Sequence, residues 1–370
     1  MCTQSISPEE GVYHRRSSQR FAEGWGPSVA YQVSRHIVGL EFLIMGNYQK
    51  LSVAAGDALS TELGELIEEA RSFASSSRSE NTRRAYAGDL RRFATWANRM
   101  GIEAMPAEPS SVALYATELA KSGRKWMTIS RAMSAIAQAH RIQGHASPLI
   151  DPVVSEVLAG IRRVKGTAQK QAPAILPDEL RRMSNALPES LRGLRDRALL
   201  VVGFAGGFRR SELNGLCVSH LTWDADGVLL YLPRSKADQE GAGATVGLPF
   251  GSDPRTCPVR TLQRWIEAAG LDDGPVFRAI TNAGVVRDVS MGTDSIRNAV
   301  RRAAKKAGSS ESISAHSLRV GLATTAVRAG KSEAAVLKHA RWKSRRSLDR
   351  YCRDVDILEG DRNPAAGVGL

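Results

Sequence analysis

The sequence predicts a mainly α-helical protein in two parts, a small all-helical unit followed by a larger, mainly helical unit with a small antiparallel β-sheet. Three observations predict this. Apolar residues recur three and four positions apart through most of the chain, the spacing that lines them up on one face of a helix. Two short runs, GVLLYL (227–232) and ATVGLPF (244–250), read as strands joined by the polar turn RSKADQEGAG, the pattern of a hairpin. Separating the helical regions is GTAQKQAPAI (166–175), polar and proline-containing, which reads as an exposed linker.

Residues 1–50 show weak periodicity and mixed polar composition, so poor order is expected there, and Met45 is an alternative start of translation. Within 51–78, Leu59, Leu63, Leu66, Ala70 and Phe73 mark an amphipathic helix of no evident role, which the serine-rich FASSSRS ends. SENTRRAYAGDLRRFATWA (79–97) opens on capping residues and stacks Tyr86, Leu90, Phe93 and Ala97 in one stripe, leaving Arg83, Arg84, Arg91 and Arg92 for the outer faces. Helices follow at 110–121, 127–142 and 153–163, completing a unit over 79–165. After the linker, helices are expected at 178–186, 191–205, 258–269, 295–307, 318–329 and 333–339 around the hairpin, giving a second unit over 176–353 and a tail at 354–370.

The 370 residues carry 51 Lys and Arg against 38 Asp and Glu, a net charge of +13, which attracts polyanions and above all nucleic acid. The excess is concentrated. Residues 301–353 hold fourteen basic residues and three acids (Glu311, Glu333, Asp349), and residues 79–165 hold thirteen against seven. No run of about 18 apolar residues exists to span a membrane, and the N-terminus lacks the pattern of a secretory leader. Cys2, Cys217, Cys257 and Cys352 lie far apart, which argues against zinc and disulfides and fits a reducing cytoplasm. No metal or cofactor is expected.

Singly, the candidate functional residues have ordinary alternatives. His316 and Arg319 stand three apart in HSLR, so they share one helix face near the positive end of the backbone dipole; a capping histidine beside a surface arginine looks the same. Arg209 follows a Gly-Gly-Phe turn, where arginines often merely solvate a surface, and Lys236 sits at a hairpin tip, where lysine is common. Tyr351, among many cations, has the usual alternative of a half-buried packing residue.

Their order is more specific: FRRSEL, a lysine in a β-turn, HxxR, a tryptophan, then a tyrosine nine residues on. In this the chain resembles the tyrosine recombinases, the phage-integrase type of site-specific recombinase, over roughly residues 79–353. SENTRRAYAGDLRRF resembles the opening helix of that family's core-binding (SAM-like) domain, AGGFRRSEL its first arginine box, PRSKADQ its lysine hairpin, AHSLRVG its HxxR box and RWKSRRSLDRY its final segment. The resemblance implies a C-shaped clamp around duplex DNA. It gives Arg209, Lys236, His316, Arg319, Trp342 and Tyr351 as catalytic residues, with Glu212 in support. His339, twelve residues before the tyrosine, is out of register and reads as structural or phosphate-adjacent. One departure stands out: the family usually has glycine where this chain has Arg341.

The chemistry the resemblance implies suits these residues. Two guanidiniums, Arg209 and Arg319, neutralise the phosphate oxygens as the pentavalent state forms. Tyr351 forms a covalent phosphotyrosyl bond that stores the energy of the broken strand, so neither ATP nor metal is needed. Surrounding cations favour its phenolate. His316 takes the phenolic proton or orients an oxygen, Lys236 protonates the leaving 5′-oxygen, Trp342 holds the phosphate and packs the tyrosine segment, and Glu212 either orients the group or is an ordinary helix acid. Arg83, Arg84, Arg91, Arg92, Lys121, Arg124, Lys125 and Arg131 are candidate contacts to DNA phosphates, with the helix from Met127 resembling a groove-facing helix. Implied too is a homotetramer on double-stranded sites with inverted repeats; the need for an accessory or directionality factor is left open, and the tail either docks on a neighbour, as in the family, or frays. The alternatives are a type IB topoisomerase-like relaxing enzyme and a DNA-binding regulator without catalysis.

Overall fold

The computed structural model describes residues 61–168, 171–233, 243–345 and 348–349. The expectations for residues 1–50, Met45, Leu59, Lys236, Tyr351 and the tail at 354–370 fall outside these residues. The chain divides into two compact units, one ending at residue 169 and the other starting at residue 170.

The first unit contains α1 (Thr61–Ser76), α2 (Glu80–Arg99), α3 (Pro109–Lys121), α4 (Trp126–Gln143) and α5 (Pro152–Lys165). The chain supplies a local reason for most of the boundaries. Ser79 caps α2 by accepting from the Thr82 N–H, Asp151 caps α5 through the Val153 N–H at 2.9 Å, and proline opens both α3 and α5. Gly144, in the left-handed conformation, ends α4. Leu90, Phe93 and Ala97 of α2 are buried, as their spacing predicts, against Ile129, Met133 and Ile136 of α4 and Val112, Tyr115 and Ala116 of α3. Each large side chain so buried contributes about 1.5–3 kcal/mol. Phe93, Trp96 and Tyr115 form an aromatic cluster with centroids 5.0–6.1 Å apart, and burial pushes the Tyr115 phenol up to about 12.

The second unit contains α6 (Pro177–Asn185), α7 (Leu191–Ala205), α8 (Arg210–Asn214), the strands β1 (Leu221–Asp224), β2 (Gly227–Leu232) and β3 (Ala244–Pro249), α9 (Pro258–Ala269), β4 (Arg278–Ile280), β5 (Val286–Ser290), α10 (Thr293–Lys306), α11 (Ala315–Arg328) and α12 (Glu333–Ala340). The first sheet has the order β1-β2-β3, all antiparallel, with Leu230 between Leu221 and Val246 and Leu232 opposite Ala244. β4 and β5 form a second, two-stranded sheet. The sequence reading foresaw β2 and β3 but not β1, β4 or β5. These strands are three to five residues long, too short for a two-residue alternation to register.

α7 is buried along nearly its whole length against α9 and α11. Its charged residues are therefore paired: Arg195 with Asp196 at 2.7 Å, and Asp196 with Arg302 of α10 at 3.0 Å. The linker reading needs a correction at its end. Ile175 is fully buried, its N–H donates to the Ser317 carbonyl of α11 at 3.2 Å, and a Cβ on Gly321 would lie 2.0 Å from the Ile175 carbonyl oxygen. Glycine at 321 lets this strand of chain lie directly on the helix that carries His316 and Arg319.

Candidate active site

The turn between α7 and α8, residues 205–209, is the centre of the site. Gly207 has φ +55, and a Cβ on Gly206 would collide with the Phe208 ring, so the Gly-Gly pair lets the chain reverse tightly while Phe208 stays buried. The reversal turns successive carbonyls toward α11 and α12. The Ala205 carbonyl meets His339 Nε2 at 2.8 Å, and the Gly207 carbonyl accepts from Arg319 Nη1 at 2.5 Å. His339 thus has a structural contact.

Arg209 is the N-cap of α8. Its N–H donates to Glu212 Oε2 at 2.9 Å and its Nη1 to Glu212 Oε1 at 2.6 Å, so one buried carboxylate fixes both the backbone and the side chain of the arginine. The neighbouring Arg210 instead faces Asp294 of α10 at 3.7 Å. Burial pushes the Glu212 carboxyl up, but the Arg341 charge and the Arg209 contacts outweigh it and hold it below its ordinary value.

Arg319, in the second turn of α11, is 1% exposed. Its Nη2 donates to the Ala340 carbonyl at the end of α12, and its guanidinium lies 5.0 Å from the centre of the Trp342 ring. Such burial strengthens the attraction of this charge for an anion brought against it. His316 is exposed in the first turn of the same helix, one turn before Arg319. The structure therefore brings Arg209, Glu212, Arg319 and Trp342 around one turn, with His316 on the α11 helix; Lys236 and Tyr351 lie outside the described residues.

Arg341 completes this group. From the sequence it is only an arginine in place of a glycine. In the structure it has φ 55 and ψ 49, and its side chain, 7% exposed, turns inward to Glu212 Oε2 at 2.9 Å. The signal that could have found it was in view: a long charged residue kept at a position whose backbone suits glycine must gain something from its side chain.

The candidate DNA contacts of the helical unit divide into three kinds. Lys121, Arg124 and Lys125 are exposed around the turn into α4. Arg83 is half-buried, whereas Arg84 and Arg91 are exposed, Arg84 pairing with Glu80. Arg92 and Arg131 converge on the buried Asp89, Arg131 at 2.7 Å and Arg92 as an even closer pair. Sequence periodicity left Arg92 on an outer face and offered Arg131 as a phosphate contact, without showing the acid between them.

The family model described as Phage integrase family matches residues 173–356, and that of the Phage integrase N-terminal SAM-like domain matches residues 73–142. The chain is 34% identical over 288 residues to the integrase/recombinase XerD homolog of Selenomonas ruminantium, covering 76% of this chain and 84% of that protein. To the recombinase Cre of Escherichia phage P1 it is 25% identical over 327 residues, covering 83% and 92%. In fold it is similar to the XerH site-specific recombinase bound to its palindromic difH substrate, with TM-score 0.58, 15% identity and coverage of 85% and 92%. A lambda integrase dimer bound to a COC′ core site gives TM-score 0.54 at 16% identity, covering 80% of this chain and 77% of that one. With the arginine boxes and the helical unit both in place, the chain belongs to the phage integrase family of tyrosine recombinases, and it is a site-specific recombinase that cleaves and rejoins DNA strands.

Proposed function

We propose that Tyr351 is the nucleophile and that Arg209 and Arg319 carry the phosphate charge. The phenolate oxygen of Tyr351 attacks the scissile phosphorus, a P–O(Tyr) bond forms and the bond to the 5′-oxygen breaks. Lys236 gives that oxygen its proton, and His316 takes the phenolic proton. Rejoining runs the same steps backwards, so the energy of the broken strand stays in the phosphotyrosyl bond and neither ATP nor metal is required. The observation that carries this reading is the convergence of two guanidiniums on one turn. Arg209 is pinned through Glu212, and Arg319 binds the Gly207 carbonyl two residues earlier. Fixed forks of this kind are ready for a phosphate before it arrives, which is where electrostatic catalysis gains most.

The wider assignment is a homotetramer on two double-stranded sites with inverted repeats, acting in the cytoplasm, with an accessory factor that sets direction. The helical unit grips phosphates through the exposed Lys121, Arg124 and Lys125, and the tail after Tyr351 docks on a neighbour. Two proteins of similar fold are seen bound to DNA, one to a palindromic difH substrate and the other, as a dimer, to a COC′ core site, which supports this reading.

Covalent trapping tests the reading. Full-length protein in excess EDTA is mixed with nicked duplexes from the DNA flanking its own gene, then denatured with SDS. The expected product is a protein–DNA adduct that Tyr351→Phe abolishes. No adduct on DNA that the protein binds overturns the assignment of Tyr351. Relaxation of any supercoiled circle without strand exchange between sites points instead to topoisomerase-like action.

A further inference from the structure

Arg341 stands in a backbone conformation that costs a non-glycine residue about 1 kcal/mol. Among the described residues it is the one non-glycine with positive φ. Its side chain has correspondingly specific contacts. Nη1 donates to the Gly206 carbonyl at 3.1 Å and the His339 carbonyl at 2.8 Å; Nη2 donates to the Gly206 and Gly207 carbonyls at 3.1 Å and to Glu212 Oε2 at 2.9 Å. The guanidinium lies 4.8 Å from the centre of the Phe208 ring. Apart from His339, these partners all belong to residues 206–212, the segment that sets Arg209.

We propose that Arg341 is a positioning residue for strand cleavage, which acts through Glu212 and the Gly206–Gly207 carbonyls to hold Arg209 in its phosphate-binding pose. This deepens the reading above and rests on it. Two physical arguments carry the inference. The first concerns charge. Glu212 is a buried carboxylate shared between two guanidiniums, Arg209 on Oε1 and Arg341 on Oε2. Remove Arg341, and the full carboxylate charge falls on Arg209, in competition with the substrate phosphate. The second concerns geometry. A fork that reaches four acceptors on two segments fixes the turn at 206–207 against the end of α12, and a lysine, a point charge on a flexible stem, cannot reproduce it. Arg341 also precedes Trp342 directly and Tyr351 by ten residues, so the same contacts tie the start of the nucleophile segment to the first arginine box.

The charged groups around Glu212 set the pH signature. Arg209 shares its short helix, Arg341 reaches it from the end of α12, and Arg319 of α11 shares the Gly207 carbonyl with Arg341. His339 of α12 is held off by the Ala205 carbonyl, and Arg210 turns to Asp294 of α10. Among the causes that lower the Glu212 carboxyl, the Arg341 charge is the largest. Without it the carboxyl protonates at higher pH, and the acid limb of the cleavage profile moves up with it.

The experiment compares wild type with R341G, R341K and R341M in single-turnover formation of the covalent adduct on a nicked duplex, as a function of pH. Circular dichroism and DNA binding are measured alongside. R341G suits the left-handed backbone and is expected to fold and bind DNA as wild type does. Its cleavage rate is expected to fall about 10- to 100-fold, with the acid limb shifted to higher pH. R341K is expected to recover the position of the acid limb but only part of the rate. R341M, which fills the space without charge, is expected to behave like R341G. If R341M restores both rate and profile, Arg341 acts by packing alone, and if R341G changes neither, Arg341 positions nothing; either result overturns the proposal. A wild-type protein that forms no Tyr351-dependent adduct overturns the site assignment, and this inference with it.

Discussion

Arg131 of α4 places Nε 2.7 Å from Oδ2 of Asp89, a carboxylate that is 2% exposed on the inward stripe of α2. The same carboxylate holds Arg92 one turn further along its own helix. Two residues that the sequence offers as DNA contacts are thus also the counterions of a buried acid.

Replacing Asp89 tests which role dominates. Asp89→Asn keeps the shape but leaves two arginines without a carboxylate. A fully buried pair broken this way costs about 3–5 kcal/mol; both arginines are about half exposed, so solvent screening reduces the expected loss to about 1–2 kcal/mol. Urea unfolding of the full chain reads it directly. A midpoint unchanged from wild type would show that Asp89 does not pin α2 to α4.

His140 makes the helical unit sensitive to acid. Its ring is buried, with Nδ1 at 2.8 Å from the Ile136 carbonyl and Nε2 accepting from the Ala107 N–H at 2.9 Å. These contacts require the neutral ring with its proton on Nδ1. Burial lowers its pKa, and the charge of His145, whose ring centre lies 6.4 Å away, adds to this. The unfolded chain therefore takes up the proton first. The stability is fully present above about pH 6.5, the unfolded value, and is lost as pH falls from there through the folded value. Urea midpoints measured from pH 7.5 to 5 are expected to decline over this window in wild type and to decline less in His140→Gln.

Arg319 ties the Gly207 and Ala340 carbonyls together and is proposed to meet the phosphate as well. Arg319→Ala leaves the Gly207 and Ala340 carbonyls without this donor and is expected to cost about 2–4 kcal/mol, so lost activity in that variant mixes two effects. Arg319→Lys separates them. It keeps a buried cation but not the fork, and is expected to melt within a few degrees of wild type while adduct formation falls at least about 100-fold. Equal rates would remove Arg319 from the phosphate.

Gly207→Ala probes the turn itself. The new Cβ would sit at φ +55 and 2.8 Å from Leu322 Cδ2, a cost of about 1–3 kcal/mol. The carbonyl that Arg319 and Arg341 share would move with it. Adduct formation is expected to drop by about 10-fold or more on DNA that is still bound, and the test is the ratio of cleavage to binding.

Helices such as α2 and α7 were legible in the sequence because their information is local. Ser79 and Ser190 cap them, apolar stripes recur along them, and the ends fall within a residue or two of where the spacing puts them. Arg209, Arg319 and Trp342 were legible as candidates for another reason: each stands at a fixed place in a motif whose order the chain keeps. Arg341 and Asp89 were not. What they do depends on residues 129 and 42 positions away in the chain, and no periodicity records a contact of that range. The short strands β1, β4 and β5 likewise exist because partners arrive from elsewhere in the chain, not because three to five residues prefer to be extended. The sequence by itself therefore determined the helices, the family and the chemistry. The tertiary structure alone decided which cations share a carboxylate, because burial makes a charge seek whichever partner folding brings within reach.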